Sequence, residues 1–294
     1  MLPLRIFIST LLMAVTPVLI RMADASSFAI GVVRLSIGVA LTLVFIKGAR
    51  DLSPIREFSG SRGRTIGILI AIGVCFGIHW VTYFESIQRS SASLGILALC
   101  TYGIHVSWMG ALFSDRRPSR HDWVGVLLSA LGAWVCLPSP ETNHGAFIGF
   151  LFGMTSAAVY AALPLLHQRI VHVPHGPRAL SQFTIAWLLF VPAVPLQDWE
   201  LSTQTWILLG VMGVFSTFVA HNLWIAVTTE VRPATSGLLF YLTIPMTMLL
   251  EATLLDAPPS ETQWLGAGLV LAGNGYVFWV RTRAARAEAS PDTA

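Results

Sequence analysis

The sequence predicts an all-α integral membrane protein with ten transmembrane helices, arranged as two inverted five-helix repeats. Three observations lead there. The 294 residues are 54% hydrophobic and only 11% charged, with a mean hydropathy of +0.69, a composition suited to a bilayer rather than to water. Ten apolar stretches can be read, at about 5–22, 28–47, 66–87, 94–113, 122–138, 146–170, 179–196, 204–228, 235–254 and 263–281, near the roughly 17–25 residues that a bilayer core requires. One five-span unit then occurs twice.

The first stretch imitates a secretory signal, with Arg5, an apolar run and Ala23-Asp24-Ala25. Pro17 and Arg21 late in that run argue instead for a retained helix. The second stretch carries Arg34 well inside it. The third holds "GIHWVTYFES" (77–86), which puts His79, Tyr83 and Glu85 where a lipid-facing helix wants Leu or Val. The fourth contains Tyr102, His105 and Trp108, the sixth Tyr160, Pro164 and His167, the eighth Thr217, His221, Trp224 and Thr228, and the ninth Tyr241 and Pro245. Pro17, Pro164 and Pro245 are expected to interrupt helices one, six and nine. Gly73-x-x-x-Gly77 and Gly149-x-x-x-Gly153 predict close helix approaches. Glu85 and Glu251, near helix ends, are expected to snorkel to the interface. Only 48–65 is a sizeable connection, so no soluble domain is expected. Cys75, Cys100 and Cys136 fall within spans at no metal-site spacing and read as packing residues.

The repeat is visible by direct comparison. Ala92, Ser93 and Gly95 match Ala234, Thr235 and Gly237. "WVGVLLSALGA" from Trp123 matches "WLGAGLVLAGN" from Trp264, and Ala14 and Pro17 match Ala161 and Pro164. The halves are 1–140 and 141–294. Five spans per half is odd, so the second half enters the membrane upside down. The same alignment puts His79 on His221. Each lies a few residues past the middle of its helix, about 5 Å from the midplane at 1.5 Å per residue. Repeat transporters bind substrate at that level. Intramembrane ionisable groups are costly and face a bundle interior or wet cavity.

Charge supplies the orientation. Of the 18 Lys and Arg, 15 fall on the side of the termini and of loop 48–65, two (Arg21 and Arg89) on the other, and Arg34 within a span. The positive-inside rule then makes both termini cytoplasmic. The basic loops are read as topology, and no nucleic-acid partner is expected.

With these residues in view, the chain resembles the drug/metabolite transporter superfamily, specifically the EamA-type ten-helix transporters. The resemblance rests on "HWVTYFESIQRSSASLGILALCTY" (79–102), "AHNLWIAVTTEVRPATSGLLFYLTIP" (220–245) and the helix pair ending "WVGVLLSALGAWV" and "WLGAGLVLAGNGYVFWV". It implies a 5+5 inverted repeat in the cell inner membrane and export or exchange of small metabolites, often amino acids. Many relatives carry a Glu-Pro pair in helix nine, where this chain has Thr243-Ile244-Pro245. The usual Pro of helix four is Gly103 here.

The expected activity is therefore secondary transport of a small metabolite by alternating access, most simply an amino acid or related neutral or zwitterionic compound. The substrate-binding candidates are His79, Tyr83, Tyr102, His105, Tyr160, His221, Trp224 and Tyr241, with Arg34 as a candidate charge partner. No catalytic residue, metal or cofactor is expected. The competing reading is a membrane protein that binds a cofactor such as haem through His79 and His221, but no CxxCH or HExxH motif accompanies them. The expected partners are the small-molecule substrate and the lipid bilayer, with the protein a monomer or homodimer.

Overall fold

The computed structural model describes residues 2–51, 53, 62–113, 119–231 and 239–289. Thirteen α-helices carry the described chain: α1 (Leu2–Met22), α2 (Ser27–Phe45), α3 (Arg62–Arg89), α4 (Ala92–Leu99), α5 (Tyr102–Phe113), α6 (Arg120–Cys136), α7 (His144–Tyr160), α8 (Ala162–Arg169), α9 (His175–Phe190), α10 (Thr203–Val211), α11 (Ala220–Glu230), α12 (Thr243–Leu254) and α13 (Glu261–Ala289). A 3₁₀ turn, Val191–Leu196, extends α9, and a π-helical segment, Met212–Val219, joins α10 to α11. Each stretch read from the sequence contains helix among its described residues; 235–238 of the ninth lie outside them. Among the described residues, seven helical stretches are long and apolar enough to cross a bilayer; α6, α12 and α13 lie in the other three stretches read from the sequence.

The extra helix count comes from breaks inside spans. α4 and α5 are one apolar stretch interrupted at Cys100–Thr101. α7 and α8 are one stretch interrupted at Ala161, where Pro164 has no N–H to donate to the Tyr160 carbonyl four residues before it, as a continuous helix needs. The other two prolines behave differently from the expectation. α1 runs unbroken through Pro17. Pro245 sits in the first turn of α12, where its missing N–H costs nothing.

Helix contacts obey one twofold rule. α3 packs on α9, and α2 packs on the π segment. α3 packs on α7, and α1 on α11; α4 packs on α7, and α12 on α1. α6 pairs with α13, and α2 with α9, each the counterpart of the other. The close approaches repeat as well. Gly73 faces Ile185, with only 2.4 Å from an ideal Cβ to the isoleucine Cβ, and Gly213 faces Ile37 with 2.5 Å to its Cδ1. Gly77, Gly149 and Gly153 also lie against neighbouring helices, as their spacing predicts. The α6–α13 pair meets backbone to backbone, with the Gly266 carbonyl 2.6 Å from where a Gly132 Cβ would stand and the reverse distance the same. This is an all-α membrane fold built from two repeats.

Polar ends are satisfied locally. Ser26, Ser91, Ser119, Asn143 and Ser202 each cap a helix N-terminus with a side-chain oxygen. Glu251 departs from the expectation that it snorkels. It is 3% exposed, and its two carboxylate oxygens each accept a backbone N–H at 2.8 Å, from Ala92 and Ser93. α12 thus places an anion on the N-terminus of α4, where the helix dipole favours one. Glu85, which could also snorkel, pairs with Arg89 at 2.8 Å.

Candidate functional site

The centre of the bundle is an aromatic cluster around two imidazoles. His79 stacks on Tyr160 at 4.4 Å between ring centroids and on Tyr83 at 5.7 Å. His221 meets Phe76 edge-on at 5.0 Å and Trp80 at 5.6 Å. Phe76 also lies 6.2 Å from His79, so its ring touches both histidines. The pair aligned by sequence is therefore brought together in space, with Phe76 shared between them. A single iron ligated by both imidazoles would have to displace that ring, which argues against the haem reading.

Each histidine is held through Nδ1. Ser156 Oγ donates to the His79 carbonyl at 3.1 Å, which leaves its lone pair to accept His79 Nδ1–H at 2.7 Å. The His221 Nδ1 lies 2.7 Å from the Ser216 carbonyl and must be the donor, because a carbonyl only accepts. That bond lies within its own span, in the π segment, whose register leaves local backbone groups for side chains to satisfy. In the neutral tautomer so fixed, both rings present Nε2 as a hydrogen-bond acceptor.

Tyr160, Tyr102, Trp224 and Phe240 continue the cluster. Tyr102 and Tyr160 are 5.2 Å apart, and Phe240 lies 5.9 Å from Tyr102, 5.6 Å from Tyr160 and 5.8 Å from Trp224. A small cavity of about 20 Å³, room for about one water, opens from it, lined by Phe76, Tyr160, Pro164, His167, Gln182, His221, Trp224 and Thr228 among others. It extends from Phe76 and His221 toward the end of the bundle where α3 begins, here called the Arg62 end. At its far wall, His167 Nε2 lies 2.8 Å from Gln182 Oε1, and His167 Nδ1 is buried without a partner.

Two candidates sit elsewhere. Tyr241 is buried, but its hydroxyl accepts the Gly103 N–H at 3.0 Å. That bond ties α12's approach to the α4–α5 break, and an ideal Cβ at Gly103 would lie 2.0 Å from the Tyr241 oxygen, so a side chain here would displace the hydroxyl. His105 is half-buried, and its Nδ1 accepts from Nε1 of the exposed Trp108 at 3.3 Å. No ring contact joins it to the cluster. Phe76, Trp80 and Phe240 carry the site and were not singled out by the sequence. The available signal was their spacing, since Phe76 and Trp80 flank His79 on α3.

Arg34 is 1% exposed and holds its guanidinium 4.3 Å over Trp80 and 5.2 Å from Phe84. Its Nε donates to Thr217 Oγ1 at 3.1 Å, while Nη1 is buried without a partner. Among the described residues, the ion pairs are Arg5–Glu230 and Arg89–Glu85; Arg34 is in neither. Arg178, counted among the loop cations in the sequence, is instead buried in α9 and donates to Thr229 at 3.1 Å.

Comparison with known proteins agrees with this architecture. The model of the EamA-like transporter family matches the chain twice, over residues 3–137 and 147–279. A probable biotin transporter of Pseudomonas aeruginosa is 27% identical over 264 residues, which cover 84% of this chain and 89% of that protein. The biotin transporters of Escherichia coli K12 and Salmonella typhimurium LT2 are each 21% identical over 246 residues, 79% of this chain and 81% of theirs. A crystal structure with 18% sequence identity superimposes with a TM-score of 0.70 over 94% of this chain and 97% of its own, a likeness of fold. A duplicated family match, transporter relatives along most of the chain and a duplicated contact pattern lead to one conclusion: the chain belongs to the EamA-like transporter family and is a multi-pass membrane transporter rather than an enzyme.

Proposed function

We propose that the protein is a secondary transporter of a small monocarboxylate with an apolar, N–H-bearing ring, of which biotin is the best match. The observation that carries this reading is the combination of an Nε2 acceptor at the cavity, on His221, a second on His79 behind the shared Phe76 ring, and the buried Arg34 guanidinium, which has no carboxylate partner. Biotin offers cyclic urea N–H donors, an apolar ring system that suits aromatic walls, and one carboxylate. The named activity of the matched relatives supports the same class. An amino acid is favoured less. Its ammonium would have aromatic faces for cation–π contact, but the cavity lining includes no carboxylate to receive it.

The test is uptake of radiolabelled biotin into proteoliposomes, with amino acids as competitors. Saturable transport that unlabelled biotin inhibits and amino acids do not is the expected result. Inhibition by an amino acid instead would restore the zwitterion reading.

The halves 1–140 and 141–294 are taken as the two repeats, in the cell inner membrane, with both termini cytoplasmic and the Arg62 end facing the cytoplasm. A thiol introduced as Asn143→Cys, in a background without the native cysteines, should then label with an impermeant reagent in intact cells. Labelling only after the membrane is permeabilised would reverse the orientation.

A further inference from the structure

The repeat identifies a counterpart in the other half for most residues that line the cavity. Counting from the shared contacts, Ile37 corresponds to Ile185, so Arg34 corresponds to Gln182. His79 corresponds to His221, so Tyr83 and Ser86 correspond to Ile225 and Thr228. Pro17 corresponds to Pro164, so Ile20 corresponds to His167. Gln182, His221, Ile225, Thr228, Pro164 and His167 all line the cavity at the Arg62 end. Their counterparts Arg34, His79, Tyr83, Ser86, Pro17 and Ile20 are equally buried but are not part of that lining, and Trp80 and Phe84 lie over Arg34.

Two of these counterparts hold polar atoms that the closed packing leaves unused, Arg34 Nη1 and Ser86 Oγ. A buried donor without a partner is costly, and a buried cation more so. An inverted-repeat carrier opens its other face by exchanging the conformations of its halves. That exchange would move Trp80 and Phe84 off the guanidinium and release both unused groups into a new cavity.

We infer that the opposite-facing state contains an anion subsite centred on Arg34, with Ser86 beside it, and that the subsite has no charged equivalent in the cavity seen here. It binds the carboxylate of a substrate offered at the Arg89 end of α3. The neutral Gln182 stands in the equivalent place at the Arg62 end. The identity of the carboxylate compound rests on the transport reading above; the subsite itself does not.

The first experiment therefore uses no substrate. Ser86→Cys is introduced without the native cysteines, with Gly153→Leu as a wedge, because an ideal Cβ at Gly153 already lies 2.7 Å from Ser86 Oγ and 2.5 Å from Ala98 Cβ. Gly153→Ala is the milder wedge if the larger one does not fold. Methanethiosulfonates bearing a sulfonate or an ammonium group are applied from the Arg89 end. The wedge is expected to speed labelling about tenfold, with the sulfonate reagent several-fold faster than the ammonium reagent, and Arg34→Gln is expected to abolish that charge preference. A Ser86→Cys thiol that stays unreactive in every folded wedge variant would overturn the second cavity. A charge preference indifferent to Arg34→Gln would overturn the anion subsite.

The second experiment compares biotin with biotinol, its alcohol, in sided proteoliposomes. Arg34→Gln should reduce the preference for the acid about tenfold at the Arg89 end and less than about twofold at the Arg62 end, while Arg34→Lys should keep part of it. Equal loss at both ends would overturn the sidedness. If the wild-type protein moves neither compound, the biotin reading fails and the labelling result alone decides the subsite.

Discussion

The double variant His79→Leu/His221→Leu is expected to insert and elute as a folded protein but to lose roughly 100-fold in transport. The magnitude is that of two substrate hydrogen bonds at about 1–1.5 kcal/mol each, each worth close to a factor of ten. The single variants should differ in kind. His221 lines the cavity at the Arg62 end, so His221→Leu should raise the apparent KM for substrate offered there. His79 is stacked between Tyr83 and Tyr160 away from that lining, so His79→Leu should act mainly on turnover. Folding tolerates both because leucine suits a membrane helix, although each change strands a buried partner, Ser156 or the Ser216 carbonyl. The check is transport in oriented proteoliposomes beside a size-exclusion profile. Wild-type transport by the double variant would reduce the imidazoles to packing.

The largest stability effect is expected at Glu251, far from any substrate. Glu251→Leu removes both acceptors of the Ala92 and Ser93 N–H groups. Two charge-assisted bonds at about 1.5–3 kcal/mol each put the cost near 3–6 kcal/mol, enough to unfold a marginal protein. Glu251→Gln keeps one carbonyl oxygen but sets an amide NH₂ near the second N–H, so about half the loss is expected. Thermal denaturation followed by the loss of the monodisperse peak reads this directly. Equal stability of Glu251→Leu and wild type would mean that water or lipid headgroups reach the α4 terminus.

Glu251 also illustrates where the sequence stops being informative. Its position near a helix end predicts snorkelling, and nothing local indicates that another helix's N-terminus lies within reach. The histidine pair was legible because the repeat supplies a long-range constraint that composition cannot. Arg34 was legible because a cation inside an apolar span stands out. Phe76, Trp80 and Phe240 were not, since an aromatic residue on a membrane helix reads the same whether it faces lipid or a cavity, and helices apolar all round carry no periodic signal. The His105 misplacement has a geometric cause. Steps of three residues advance 300°, so a Tyr102–His105–Trp108 stripe drifts about 60° per step, and Trp108 emerges 43% exposed while Tyr102 is fully buried. The helix breaks were half legible. Pro164 marks one, whereas the interruption at Cys100–Thr101 and the π segment, which holds Gly213, lie in apolar sequence with no proline.

The α6–α13 pair has a consequence for how the molecule sits in lipid. These two helices are counterparts of each other, pressed together at Gly132 and Gly266, so an exchange of the halves maps the pair onto itself. Their outer faces carry tryptophan near both ends, with Trp123 and Trp134 on α6 and Trp264 and Trp279 on α13 exposed by 53%, 73%, 42% and 51%. Indole prefers the headgroup boundary, and the separations along the helices are about 16 and 22 Å at 1.5 Å per residue. Both separations are shorter than the roughly 30 Å hydrocarbon core, so the four indoles reach both boundaries only where the bilayer thins around the pair. A membrane of altered thickness is therefore expected to change transport rate through these indoles before it disturbs the cavity.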